Sequence, residues 1–255
     1  MRSKNKEIRD HHAKMYIDAV FGDTLKQEGF ISPDDKSFSW FRVVNNELVH
    51  AVYFHATWPE LPLMGLMIES KVFPLFCKPY YYSTIYSGFS NRHFGYRVMS
   101  IEDLPDENGH TCMAPYSSEI QVMACTSGKR GLHTLETNVL PWFRKAMTQT
   151  DYYQVVSDEF MSLKGNHFFR QAVLSDAAAL AMCYGDNNII SECSAYLDEF
   201  LPEYLQSKVI EDKYKIQRLA EKSALDGTTR DEFLANLEIQ KQKNIKWLKK
   251  IGILV

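Results

Sequence analysis

The chain has 255 residues, 45% hydrophobic and 24% charged, the balance of an ordinary globular protein with apolar mass enough for one large domain or two small ones. Its 29 Lys and Arg against 32 Asp and Glu leave a formal charge of -3 and a pI near 6.2. That argues against a surface dedicated to nucleic acid or anionic lipid, since either needs a net basic field.

The first ten residues are polar and charged where a signal peptide would carry an apolar core, and no later run is long enough to span a bilayer. A cytoplasmic protein with no membrane association is the expectation. From about Asn5 to Glu28, Ile8, Met15, Tyr16, Ala19, Val20 and Leu25 fall near helical spacing, with Gly29 placed to end the run. His11 and His12 are adjacent, so on a helix they point about 100° apart and do not readily share a metal. Ile31 to Lys36 reads as a loop.

Ser37 to Thr57 carries the clearest structural signal. Two runs of aromatic and β-branched residues flank Asn45-Asn46-Glu47, the pattern of a β-hairpin. A three-residue loop sets Val44 opposite Leu48, Arg42 opposite His50, Trp40 opposite Val52 and Phe38 opposite Phe54, and so gathers one strongly apolar face. The other face, with Phe41, Val43, Val49, Ala51, Tyr53 and His55, is nearly as apolar. Both faces therefore need covering, the N-terminal helix on one side and later segments on the other.

Trp58-Pro-Glu-Leu-Pro62 breaks the second strand, and a third is expected at Leu63 to Ser70. Val72 to Phe89 is dense in rings, among them Tyr80, Tyr81 and Tyr82, and serves either as a stacking platform or as aromatic bulk over one end of the sheet. Further strands are expected at His93 to Ile101 and Ser117 to Thr126, making about five, antiparallel because no helical crossovers join them.

After Gly131 the character becomes helical. Asn138 is placed to cap a helix with Pro141 in its first turn and Trp142, Phe143 and Met147 beyond. Asn166 would cap a helix to Met182 ending at Gly185, and Asp186-Asn-Asn188 would turn the chain into an antiparallel helix over Ile189 to Phe200. Leu180, Tyr184 and Leu197 in that pair loosely resemble a tetratricopeptide unit, but with a single copy it is a helical hairpin. Pro202 ends that helix or starts the next, which runs to about Leu225. Thr229-x-x-Glu232 is a capping box for a final helix bearing Phe233, Leu237, Trp247 and Leu248, with a solvated lysine face from Lys241 to Lys250. The division expected is a sheet domain over 1–130 and a helical region over 131–255 packed on it.

Motifs that carry chemistry are sparse. Five cysteines, an odd number with no Cys-x-x-Cys pair, indicate neither a disulfide framework nor structural zinc, and Cys112, Cys125, His110 and His133 match no familiar nucleophile or metal spacing. Gly128-Lys129-Arg130-Gly131 fails the phosphate-loop pattern, with Met123 where the first glycine belongs and Arg130 where Ser or Thr should hold magnesium. Lys129 and Arg130 remain candidates for anion binding, against an ordinary solvated linker. Arg42 facing His50 on an apolar sheet face is the more physical oddity. Burial there needs a carboxylate or ligand to answer the charge; otherwise the pair sits at the sheet's end near solvent. His55 and Trp58, where the second strand meets the Pro-rich loop, and Tyr80 and Tyr82 complete the candidate ligand set with Arg42 and His50. No cofactor and no metal is called for.

The helix ending in Gly29-Phe30, the Phe38-to-Val44 and Leu48-to-Phe54 strands, the short Gly65 strand and Val139-Leu-Pro-Trp-Phe143 together resemble a family of uncharacterised bacterial domains of unknown function. The resemblance covers about the first 150 residues and departs at Phe54-His55-Ala56-Thr57, where the family has a Gln-containing strand end. It implies an α+β fold and a bacterial cytoplasmic origin, and supplies no activity. The expectation is an α+β protein that is a non-catalytic interaction or regulatory module, of which an immunity role is one case, with a protein partner. The alternative is an enzyme or small-ligand binder with a cleft between sheet and helices.

Overall fold

The structure, a computed structural model, describes residues 2–33, 38–57, 65–76, 131–133, 135–165 and 167–254. The expected strands at 93–101 and 117–126 and the aromatic segment beyond Phe76 lie outside those residues. What is described is an α+β protein, with a three-stranded antiparallel sheet in the order β1-β2-β3 and a set of helices.

Helix α1 (Arg2–Gln27) stops as the glycine predicts. Gly29 takes φ +80°, its N–H donates to the Lys26 carbonyl (3.0 Å), and Phe30 N–H reaches back to Leu25 (2.9 Å), so two of the last turn's free carbonyls are met. The chain then places Ile31 beside Phe41 in a single antiparallel bridge on the outer edge of β1.

Strands β1 (Ser39–Val44) and β2 (Leu48–Thr57) pair as the alternation requires: Val44 with Leu48, Arg42 with His50, Trp40 with Val52. Asn45 and Asn46 both adopt left-handed backbone (φ 51° and 55°), and Glu47 N–H closes the turn on the Val44 carbonyl at 3.0 Å. Both faces are buried. On one, Phe21 of α1 lies 4.9 Å from Phe54, and the Lys14 ammonium sits over the Trp40 ring. On the other, Phe41 meets Tyr53 edge-on at 5.6 Å beside buried Val49 and Ala51.

Strand β3 (Gly65–Pro74) runs four residues beyond the expected end at Ser70. Lys71, Val72 and Phe73 continue the ladder opposite Ala51, His50 and Val49, and Pro74 falls at the last position, where a missing donor is tolerated.

The helical half departs from expectation at three points. A π-helical turn over Leu135–Val139 feeds directly into α2 (Leu140–Arg144), so the helical backbone is already under way at Asn138. Val139 stands at the cap in helical geometry with no side-chain cap bond. Helix α2 also stops at Arg144, and an unanticipated helix, α3 (Gln149–Ser162), begins at Thr148. Its capping box is Thr148 with Asp151, each side chain accepting the other's backbone N–H at 3.1 Å, and it buries Tyr152, Val156 and Phe160.

Helices α4 (His167–Tyr184) and α5 (Asn187–Gln206) form the expected hairpin, with Gly185 at φ +69° and Asp186 capping α5. Pro202 lies inside α5 instead of ending it, because buried Leu201 and Tyr204 on either side hold the turn to the core and offset the lost hydrogen bond. Helices α6 (Asp212–Gly227) and α7 (Arg230–Lys250) follow, the second with the predicted Thr229–Glu232 capping box. One apolar core runs through both halves, from Phe21, Trp40 and Val52 through Phe143 and Phe160 to Leu197 and Leu248.

The left-handed turn makes a direct prediction. Asn46→Ala should lower stability by about 1–2 kcal/mol and Asn46→Gly should not, read from urea midpoints at unchanged m-value.

Candidate functional site

Arg42 and His50 are cross-strand neighbours, and two further segments, 28–30 and 143–146, converge on them. Glu28, the turn residue between the end of α1 at Gln27 and Gly29, presents both its carbonyl and its carboxylate. Arg42 Nη1 donates to the carbonyl at 2.7 Å and to Oε2 at 3.3 Å. A guanidinium at this end also answers the negative pole of α1. The same carboxylate accepts from Arg144 Nη2 at 2.7 Å. Phe30, carried past the Gly29 turn, lies under the guanidinium with its ring centre 4.8 Å from Cζ, and Phe143 lies 5.9 Å away.

The histidine is fixed just as closely. Arg42 Nε and Nη2 both stand 3.2 Å from His50 Nδ1. A guanidinium only donates, so Nδ1 accepts, and the ring proton belongs on Nε2, which donates to the Ala146 carbonyl at 2.7 Å. Phe143 stacks on the ring at 4.6 Å and 13°. Burial, then the Arg42 charge, push the His50 pKa down to about 3, opposed by the Ala146 bond. Burial likewise lowers Arg42, with Glu28 acting in the other direction.

The segment after α2 is tied to the hairpin turn by two more bonds. Asn45 Nδ2 donates to the Met147 carbonyl (2.9 Å), and Glu47 Oε2 accepts from Gln149 N–H (2.8 Å). Residues 146–149 therefore strap the turn, and the cluster joins α1, the hairpin and the start of the helical half.

The geometry overturns the expectation that the pair sits at the sheet's end near solvent: His50 is 0% exposed. The alternative condition, a carboxylate that answers the charge, is met by Glu28, and Glu28, Phe30, Phe143, Arg144 and Ala146 are the partners that sequence reasoning missed. Of the other candidates, His55 pairs with Met67 further along the β2–β3 ladder. Trp58, Tyr80, Tyr82, Lys129 and Arg130 lie outside the described residues.

Chemically the cluster is a fastener. A base needs a free lone pair and a pKa near the working pH, whereas the His50 lone pair already holds Arg42 and its proton affinity is suppressed. The described cysteines are no better placed as nucleophiles: burial pushes the Cys183 thiol up to about 11 and raises that of Cys193 further. Among the described residues no three His, Cys, Asp or Glu side chains are grouped to hold a metal, and no helix is long and apolar enough to cross a membrane.

A second polar junction gathers helix ends. Asp186 accepts from Tyr153 Oη (2.6 Å) as well as from the Asn188 and Ile189 amides, and Tyr153 stacks on Tyr184 at 4.7 Å. Arg230, at the start of α7, donates to the Met182 and Cys183 carbonyls (3.2 and 2.7 Å) and so covers the C-terminus of α4. A third group, Arg170, is buried between the Phe160 and Tyr196 rings and pairs with Glu192 at 3.2 Å. All three groups are answered from within the chain.

Comparison with protein-family models, with curated proteins and with solved structures finds no match.

Removing the Arg42 side chain leaves the Glu28 carbonyl and His50 Nδ1 without their donor. Arg42→Ala should cost about 2–4 kcal/mol by urea denaturation, and Arg42→Lys should recover little, because an ammonium cannot span both acceptors. The pH dependence follows from the depressed His50 pKa. Between the folded value of about 3 and the unfolded value near 6.5 the unfolded state binds more protons, so stability is full above about 6.5 and is lost as pH falls. The wild-type urea midpoint should drop on acidification from about pH 7 to pH 4, and His50→Gln should flatten that slope.

Proposed function

We propose that the protein is a non-catalytic interaction module of regulatory type, whose helical half presents a surface to a protein partner. An immunity role in a bacterial cytoplasm is one such case. In this reading the sheet, extended to about five strands with α1 packed on it, is the scaffold.

The observation that supports it is the inverted polarity of α6. A surface helix ordinarily buries its apolar stripe and exposes its charges. Helix α6 turns three of its charges inward: Arg218 and Glu221 pair at 2.6 Å and both bond Ser175 of α4, while Lys222 reaches Asp198 and Ser194 of α5. Its outward face carries Ile216 and Leu219, 66% and 47% exposed. Large apolar side chains gathered on one exposed face mark an interaction surface more often than solitary ones do.

The rival reading, a ligand cleft using Arg42 and His50, needs polar atoms already engaged by Glu28 and Ala146.

A photo-crosslinking residue introduced at position 219 of the full chain should capture a discrete protein in producing cells, and one at exposed Glu203 on α5 should not. A metabolite that raises the melting temperature of the wild type saturably, but not that of Arg42→Lys, together with no capture at position 219, would favour the cleft and overturn this reading.

A further inference from the structure

The exposed face of α6 does not stand alone. Of the large hydrophobic side chains that the described residues expose, Val209, Ile216, Leu219 and Ile239 all fall between the end of α5 and the middle of α7. Helices α6 and α7 are joined by Thr228 and Thr229 alone, and both pack against α4. Along α7, Glu232, Ala235, Ile239, Lys243 and Lys246 recur at spacings of three and four and are all exposed. They form a narrow outward stripe with one apolar centre, acidic toward the N-terminus and basic toward the C-terminus.

The outward stripe of α6 has the opposite charge at the matching end. Asp212, its side chain 92% exposed and paired within the helix only at 3.8 Å with Lys215, precedes Ile216 by four residues, and Glu211 lies beside it. On α7, Lys243 follows Ile239 by four. When two helices run antiparallel, the residue four before one centre meets the residue four after the other. Setting Ile216 beside Ile239 therefore sets Asp212 beside Lys243, and Leu219 beside the small residue Ala235 and its neighbour Asn236.

We propose that this surface binds a second copy of the chain, with α6 of each copy lying antiparallel on α7 of the other around a two-fold axis. The inference rests on the interaction reading above and names its partner. Two-fold closure repeats every contact, so six apolar side chains, three from each copy, would be covered and two Asp212–Lys243 pairs formed.

The test is sedimentation of the full chain. The wild type should run at twice its 29.5 kDa, about 59 kDa, at a loading of about 100 μM. Asp212→Lys and Lys243→Asp should each raise the dissociation constant at least about tenfold, and the double reversal should bring it back to within about threefold of wild type. Ile216→Glu should be monomeric with an unchanged circular dichroism spectrum. A wild type that stays monomeric at that loading overturns the proposal, and so does a dimer whose double reversal restores nothing, which would indicate another pairing. In either case, capture of a different protein at position 219 leaves the interaction reading standing. Loss of both dimer and capture removes the two together.

Discussion

A guanidinium largely withdrawn from water on the apolar face of a sheet has to be answered by its surroundings, and the answer to Arg42 sets much of this structure. An unanswered charge there would cost several kcal/mol, so the segments that supply acceptors and rings cannot sit elsewhere without penalty. Glu28 must follow the end of α1 beside β1, Phe30 must fold back under the guanidinium, and His50 must stand across the ladder with Nδ1 free to accept. His50 then passes the constraint on. Its Nε2 proton and its ring face hold Ala146 and Phe143, which fixes where the helical half begins. A chain of hydrogen bonds in a dry interior strengthens its own members and exposes each to the loss of the others.

The same logic of internal satisfaction runs through the helices. Arg170 lies between two rings and a carboxylate, Arg230 covers the end of α4, and the inward charges of α6 meet Ser175, Ser194 and Asp198. These groups hold helices against one another with charge where a bundle normally uses aliphatic side chains. The consequence for function is a separation of roles. The buried polar groups are spent on architecture, and the apolar side chains they displace from α6 are left on the outside.

Much of the sheet was legible in the sequence because strand periodicity is strict. A one-residue slip would have set Arg42 against Val49 and Trp40 against Ala51, mixing polar with apolar and large with small on each face, so the hairpin register followed from the pattern, and Asn45-Asn46 marked a turn that only residues tolerant of left-handed backbone make easily. Gly29, Gly185 and the Thr229–Glu232 box marked helix ends for similarly local reasons. What was not legible depended on distance or on burial. The partners of the pair lie 14 residues before Arg42 and 96 after His50, and nothing local to either residue names them. Pro202 carries a local stop signal that the burial of Leu201 and Tyr204 overrides. The start of α3 was hidden because the break between Arg144 and Thr148 contains neither glycine nor proline. Its Thr148-x-x-Asp151 box, with Tyr152, Val156 and Phe160 at helical spacing, was the signal available to find it.

The cluster depends on His50 being a neutral, buried acceptor, and the ring nitrogens report that state directly. Nitrogen-15 NMR of the imidazole in the folded protein, followed from about pH 7 down to pH 4, should show one neutral tautomer with the proton on Nε2 and no titration across that range. A proton on Nδ1, or a titration midpoint near the ordinary histidine value of about 6.5, would contradict it.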